Sequence, residues 1–147
     1  MRLTPILVLA LPLLGGAAFG AERGHDEAIA VVVGAESAIA EVTLDTLREL
    51  YLRRRRLWPD GSRVIPVNLP ADSDTRKSFS KHVLGRLPQD LGGYWNRLYF
   101  DGITPPVVLR TPGAVCAYLA VEPKAIGYMR RDEVDRNACR VLLMLPE

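Results

Sequence analysis

Val64-Ile65-Pro66-Val67-Asn68-Leu69-Pro70-Ala71-Asp72-Ser73-Asp74-Thr75-Arg76-Lys77-Ser78-Phe79 is the stretch that decides the fold. An apolar, β-branched run stops at a polar loop that carries two acids and two hydroxyls. A helical pattern follows, with Phe79 and Val83 four residues apart. A strand that turns and feeds a helix through Ser and Thr leaves backbone N–H groups unpaired at the helix start. Those donors and the positive end of the helix dipole suit an anion. Asp72 or Ser73 as a plain helix cap is the other role open to this loop.

The rest of the chain alternates in the same way. Ala28 to Val33 reads as a buried strand, and Thr43 caps a helix from Leu44 to about Arg54 with Leu44, Leu47 and Tyr51 on one face. Trp58-Pro59-Asp60-Gly61 is a tight turn before the strand Arg63–Asn68. The helix that opens at Ser73 runs to about Leu84, and Gly85 stops it. Pro88 starts a further helical stretch with Leu91, Trp95 and Leu98 as its expected core face. Thr111-Pro112-Gly113 places a cap and a first-turn proline before a helix whose inner face holds Val115 and Leu119. Ala125–Met129 and Cys139–Leu145 read as the last strands. This order implies an α/β sandwich around a mainly parallel or mixed sheet.

The first residues are read apart from this domain. Met1-Arg2, the apolar run Leu3–Leu14 and the small residues around Ala18 and Gly20 have the layout of a secretory signal peptide. The expected division is a signal peptide over residues 1–20, a polar arm over 21–27 and one domain over 28–147. Removing 20 of 147 residues leaves about 127, enough for one compact domain. One arginine goes with the leader, so Lys+Arg falls from 19 to 18 against 17 Asp+Glu. A near-neutral chain has no field to draw it to nucleic acid. No membrane span is expected once the leader is cleaved, which points to a periplasmic location.

Cys116 and Cys139 are the only cysteines. In an exported chain they form either one disulfide or two separately buried thiols. With His25 and His82 remote in sequence, no metal-ligand cluster and no cofactor is expected. There is no Gly-x-Ser-x-Gly elbow, no zinc-type His-Glu pair and no phosphate loop with its lysine, so the chain does not read as an enzyme. The run Arg53-Arg54-Arg55-Arg56 at a helix end is either a solvated cap or a basic surface for an anion or an acidic partner.

Taken together, Leu47-Arg48-Glu49-Leu50-Tyr51-Leu52, Trp58-Pro59-Asp60-Gly61, Ser73-Asp74-Thr75, Trp95, Phe100, Pro105-Pro106 and Ala125-Ile126-Gly127-Tyr128 resemble the periplasmic substrate-binding proteins of phosphate ABC transporters, over one lobe, the second. The resemblance implies a single lobe of the type II periplasmic-binding-protein kind. In that family a Ser-Gly-Thr turn grips phosphate, with an arginine four residues before the serine. Ser73 and Thr75 match; Asp74 replaces the glycine and Leu69 the arginine, and Arg76 is the nearest substitute for the lost charge. Ser73, Asp74, Thr75 and Arg76 are thus the expected anion-binding residues, with Thr111 and Gly113 as a secondary anion site.

Two readings follow. The first is an exported solute-binding-like protein that contacts phosphate or another small oxyanion. The alternative is a ligand-free accessory or sensory module that docks on a membrane transport or signalling partner through Arg53–Arg56. A lone lobe also leaves room for a second lobe, supplied by self-association or by an envelope protein.

Overall fold

The computed structural model describes residues 28–146, so the expected leader and polar arm lie outside the described residues. Strands β1 (Ile29–Gly34), β2 (Ile65–Asn68), β3 (Val107–Val108), β4 (Ala125–Arg130) and β5 (Cys139–Met144) form one sheet in the order β3-β2-β4-β1-β5. β2 runs parallel to β3 and to β4, whereas β1 is antiparallel to β4 and to β5. The sheet is therefore mixed.

β1 and β4 are the inner strands that bury nearly every residue. Their side chains alternate between two covered faces, which is why Ile-Ala-Val-Val-Val reads as an unbroken apolar run. On one face lies helix α4 (Pro112–Val121), with Val115, Cys116 and Leu119 buried. Its approach to the sheet is close: a methyl group on Gly34 would collide with the Leu119 carbonyl oxygen. On the other face lie α1 (Leu44–Tyr51) and α2 (Asp74–Phe79), which bring Tyr51 and Phe79 against Tyr128 of β4. Phe79 and Tyr128 stack with ring centroids 3.6 Å apart, and Tyr51 sits 4.7 Å from Phe79. The Tyr51 hydroxyl donates to the carbonyl of Val67 at 2.8 Å and lies 3.2 Å from that of Ile126, so one side chain spans the β2–β4 pair.

Three elements differ from the sequence expectation. α1 ends at Tyr51, three residues before Arg54, because Arg53 adopts φ +59° and turns the chain away. α2 continues from Ser80 to Leu84 as a π-helical segment and stops at Gly85, whose φ of +71° suits a residue without Cβ. The expected Leu91-Trp95-Leu98 face is buried only at Leu91, in a 3-10 turn (Pro88–Leu91) before α3 (Gly92–Phe100). α3 itself buries no residue; its tie to the body is Tyr94, whose hydroxyl donates to the Leu52 carbonyl at 2.6 Å.

Cys116 of α4 and Cys139 of β5 are joined as a disulfide with Cα atoms 5.6 Å apart. Among the described residues, no helix is long and apolar enough to cross a membrane, and no cluster of His, Cys, Asp and Glu could hold a metal ion.

Candidate functional site

β2, β3 and β4 all point the same way, so their carboxyl ends share one edge of the sheet. Open α/β sheets bind ligands outside that edge. Here the loops after the three strands line an open cavity of about 320 Å³. The β2 loop contributes Asp72, Ser73 and Thr75, the β3 loop Arg110 and Pro112, and the turn after β4 Glu133.

Two helices start at this cavity. Ser73 caps α2, its Oγ accepting from the Arg76 amide at 3.2 Å, and Thr111 caps α4, its Oγ1 accepting from the Ala114 amide at 3.1 Å. Capping thus occupies one acceptor on each hydroxyl and leaves its proton available to donate. The first-turn amides of Asp74 and Thr75 have no partner within the helix, as at any helix start. Arg110, exposed beside Thr111, is the cation of the cavity and was not legible as such beyond its place before the Thr-Pro-Gly cap. Two carboxylates share the lining. Glu133 is committed to Arg130, accepting from its amide at 3.1 Å and pairing with its Nε at 3.7 Å. Asp72 is exposed.

Of the expected residues, Ser73 and Thr75 line the cavity, and the side chains of Asp74 and Arg76 do not. Asp74 is fully exposed and turns to Lys77 at 3.6 Å, so its carboxylate faces solvent outside the cavity. Arg76 points the opposite way, into the protein, with 8% of its surface exposed. Its Nη1 donates to the Leu69 carbonyl at 2.8 Å. A guanidinium can only donate, so the Asn68 amide sets its oxygen toward Arg76, 3.1 Å from Nη1 and 3.2 Å from Nη2, and its nitrogen donates to the Tyr128 hydroxyl at 3.0 Å. Arg76 Nε is buried without a hydrogen-bond partner, and no carboxylate pairs with this guanidinium among the described residues. Burial raises the pKa of Tyr128 and of Tyr51, and the Arg76 charge opposes both shifts. Arg76 therefore braces the β2–α2 loop from behind. Gly113 is exposed and not among the cavity residues, so Thr111 reaches this site without it.

The arginine run splits. Arg54 pairs with Glu49 at 3.3 Å, and that hydrogen bond raises its pKa. Arg55 is exposed. Arg53 and Arg56 instead join Arg63 around a second cleft, of about 390 Å³, at the opposite end of β2. The hairpin that holds it is pinned by the Leu57–Arg63 bridge and by the buried Trp58, whose Nε1 donates to the Lys124 carbonyl at 2.9 Å.

No protein-family model matches the sequence, and no curated protein sequence matches it. Solved structures do match the fold. A candidate phosphate ABC transporter substrate-binding protein from Clostridium perfringens, solved with phosphate bound, superposes with a TM-score of 0.61 at 18% identity, over 76% of this chain and 42% of that one. An ABC-type phosphate transport receptor from Vibrio cholerae gives 0.58 at 18% identity, over 78% and 45%. PstS from Borrelia burgdorferi gives 0.58 at 15%, over 78% and 46%. The chain spans less than half the length of each. It has the fold of a phosphate ABC transporter substrate-binding protein over an extent that corresponds to a single lobe.

Proposed function

We propose that this chain is an exported solute-binding-like protein that contacts phosphate, or another small oxyanion, in the cavity at the carboxyl ends of β2, β3 and β4. One observation carries the reading: two helix starts and Arg110 converge on a single cavity, while the unpaired Arg76 charge lies buried behind its loop. Oriented amides, two hydroxyls and the Arg110 guanidinium favour an anion. The phosphate proteins that share the fold support the same ligand class. The residues suit binding rather than catalysis, and the signal-like leader supports a periplasmic location.

A single lobe encloses its ligand on one side, and Asp72 and Glu133 work against an anion, so binding is weak, with a Kd of about 1 mM, or about −4 kcal/mol. A second lobe, from another copy or from an envelope protein, would add donors and exclude water. Calorimetry of the mature chain with phosphate and with sulfate tests the proposal. Heat of binding that is lost in the Ser73→Ala, Arg110→Gln double variant is the expected result. No heat and no thermal shift at about 10 mM anion removes it.

A second reading, a ligand-free accessory module, is favoured by α3, where Tyr99 is 69% and Phe100 88% exposed. Aromatic side chains left uncovered on a helix suit a protein partner. Recovery of a membrane transport or signalling component from envelope extract by wild type, lost in Phe100→Ser, Tyr99→Ser, distinguishes this reading from the first.

A further inference from the structure

We infer that the cleft walled by Arg53, Arg56 and Arg63 is a second binding site, for a small multivalent oxyanion of the phosphate or polycarboxylate class. It lies about 16 Å by strand rise from the Ser73 cavity and does not depend on it: Arg63 and Val64 lead into β2, and Leu69 leaves it.

Three features of the molecule carry the assignment. The first is charge. Three guanidiniums share the cleft, no carboxylate lines it, and none of the three is ion-paired among the described residues. Burial, then the charges of Arg56 and Arg63, holds the pKa of Arg53 below the usual guanidinium value. Arg54, one position along, shows the ordinary outcome, a pair with Glu49. Like charges on a solvated surface spread apart; these are held together.

The second feature is how they are held. Arg56 and Arg63 flank a short hairpin, closed by the Leu57–Arg63 bridge, the Val64 amide donating to the Arg56 carbonyl at 3.0 Å, and the Trp58 amide donating to the Ser62 carbonyl at 2.8 Å. The buried Trp58 indole fixes that hairpin to the body. The arginines thus sit on a rigid turn, which reduces the ordering cost of gripping an anion.

The third feature is Arg53 itself. It is the one non-glycine residue with positive φ among the described residues, at +59°. It follows the end of α1, where its amide donates to the Leu50 carbonyl at 3.1 Å and the Arg54 amide to the Glu49 carbonyl at 3.0 Å, the Schellman closure of a helix, and this left-handed turn carries the Arg53 side chain into the cleft with Arg56 and Arg63. Its Nη1 reaches the Val64 carbonyl at a long 3.4 Å, and its Nε is buried without a partner. With one long hydrogen bond and no carboxylate beside it, the Arg53 guanidinium joins two further ones in a cleft whose donors a multivalent oxyanion can bridge. Ile103 and Val64 give the cleft an apolar wall, and Thr104 adds a hydroxyl at its rim.

The test is calorimetry of the mature chain with pyrophosphate and with citrate, at matched ionic strength, beside NMR of the arginine Nε–H signals. Arg56 and Arg63 are exposed, so the Arg56→Gln, Arg63→Gln double variant keeps the fold. We expect its affinity to fall at least about tenfold, and the Ser73→Ala, Arg110→Gln double variant to bind both probes as wild type does. Tighter pyrophosphate assigns the phosphate class, and tighter citrate the carboxylate class. Arg53→Gly separates structure from binding: it relieves the positive φ, so the thermal midpoint rises or holds while affinity drops and one Nε–H signal that moved with the anion disappears. Absence of saturable binding by either probe overturns the inference. So does affinity that is unchanged in the Arg56, Arg63 variant, or lost equally in the Ser73, Arg110 variant.

Discussion

Replacing Arg76 measures what a buried cation contributes to the loop that carries Ser73 and Thr75. Arg76→Met keeps length and apolar bulk and removes the charge. Two effects oppose each other. A guanidinium buried without a carboxylate has given up hydration worth several kcal/mol, so its removal relieves a cost. Its removal also strands the Leu69 carbonyl, now bonded at 2.8 Å, and the Asn68 oxygen at 3.1 Å. Hydrogen bonds to a charged group contribute about 1.5–3 kcal/mol each, and a stranded buried acceptor costs about 1–3 kcal/mol. Both acceptors lie on the short stretch that ends β2, and both are beyond reach of water in a residue pair that is 3–5% exposed. We therefore expect the second effect to win, with a net loss of about 2 kcal/mol. With a urea slope of about 1.5 kcal/mol/M, the unfolding midpoint falls by about 1.3 M. Arg76→Lys, which reaches one acceptor, loses about half as much. An unchanged or raised midpoint in Arg76→Met would refute the reasoning and make Arg76 a cost that only a bound anion offsets.

Reduction of the Cys116–Cys139 bridge, or its replacement by serines, frees a loop of 23 residues separation and costs about 3 kcal/mol, read as the difference in urea midpoint with and without reductant. Gly34→Ala drives a methyl group into the Leu119 carbonyl and forces α4 off β1, so soluble yield collapses or the midpoint falls by at least about 2 kcal/mol, whereas Gly113→Ala on the same helix, with open space around it, is neutral or better. Asp60 is held well below the usual carboxylate range, first by its hydrogen bond from Lys124 at 2.7 Å and then by Ser62. A depressed folded pKa supports stability above the unfolded value and loses it as the pH falls, so Asp60→Asn flattens the stability curve below about pH 4, and an unchanged acid limb speaks against the pair.

The strand–loop–helix at Val64–Phe79 was legible because each local signal agreed: β-branched residues, then a cap, then apolar positions four apart. The caps at Ser73 and Thr111 and the stop at Gly85 followed from the same chemistry. The inward direction of Arg76 was missed, since the sequence reading placed it with the anion-binding residues, although the sequence carried the signal. Positions 76, 79, 80 and 83 stand at i, i+3, i+4 and i+7, and all four are buried on one helix face. A charge on that stripe points inward. Arg110 and Glu133 were not legible, because only the parallel alignment of β2, β3 and β4 brings their loops to the Ser73 turn. α3 shows the limit of periodicity. Leu91, Trp95 and Leu98 fall on one face, but a face is buried only where something covers it, and spacing says nothing about the cover. Arg53 shows a second limit: nothing in four successive arginines marks which one takes a left-handed turn and ends α1.

The pairing of Ala30 with Met144 puts the start of β1 beside the finish of β5, and the Arg131 amide donates to the Ala28 carbonyl at 2.8 Å. Both ends of the folded body thus emerge together, on the same side as the three loops that meet over Ser73. A polypeptide fused to either end would begin its path at the mouth of that hollow, and one spliced across both would need no threading. Roofing the hollow by grafting a covering module onto these neighbouring exits is a construction the architecture already allows.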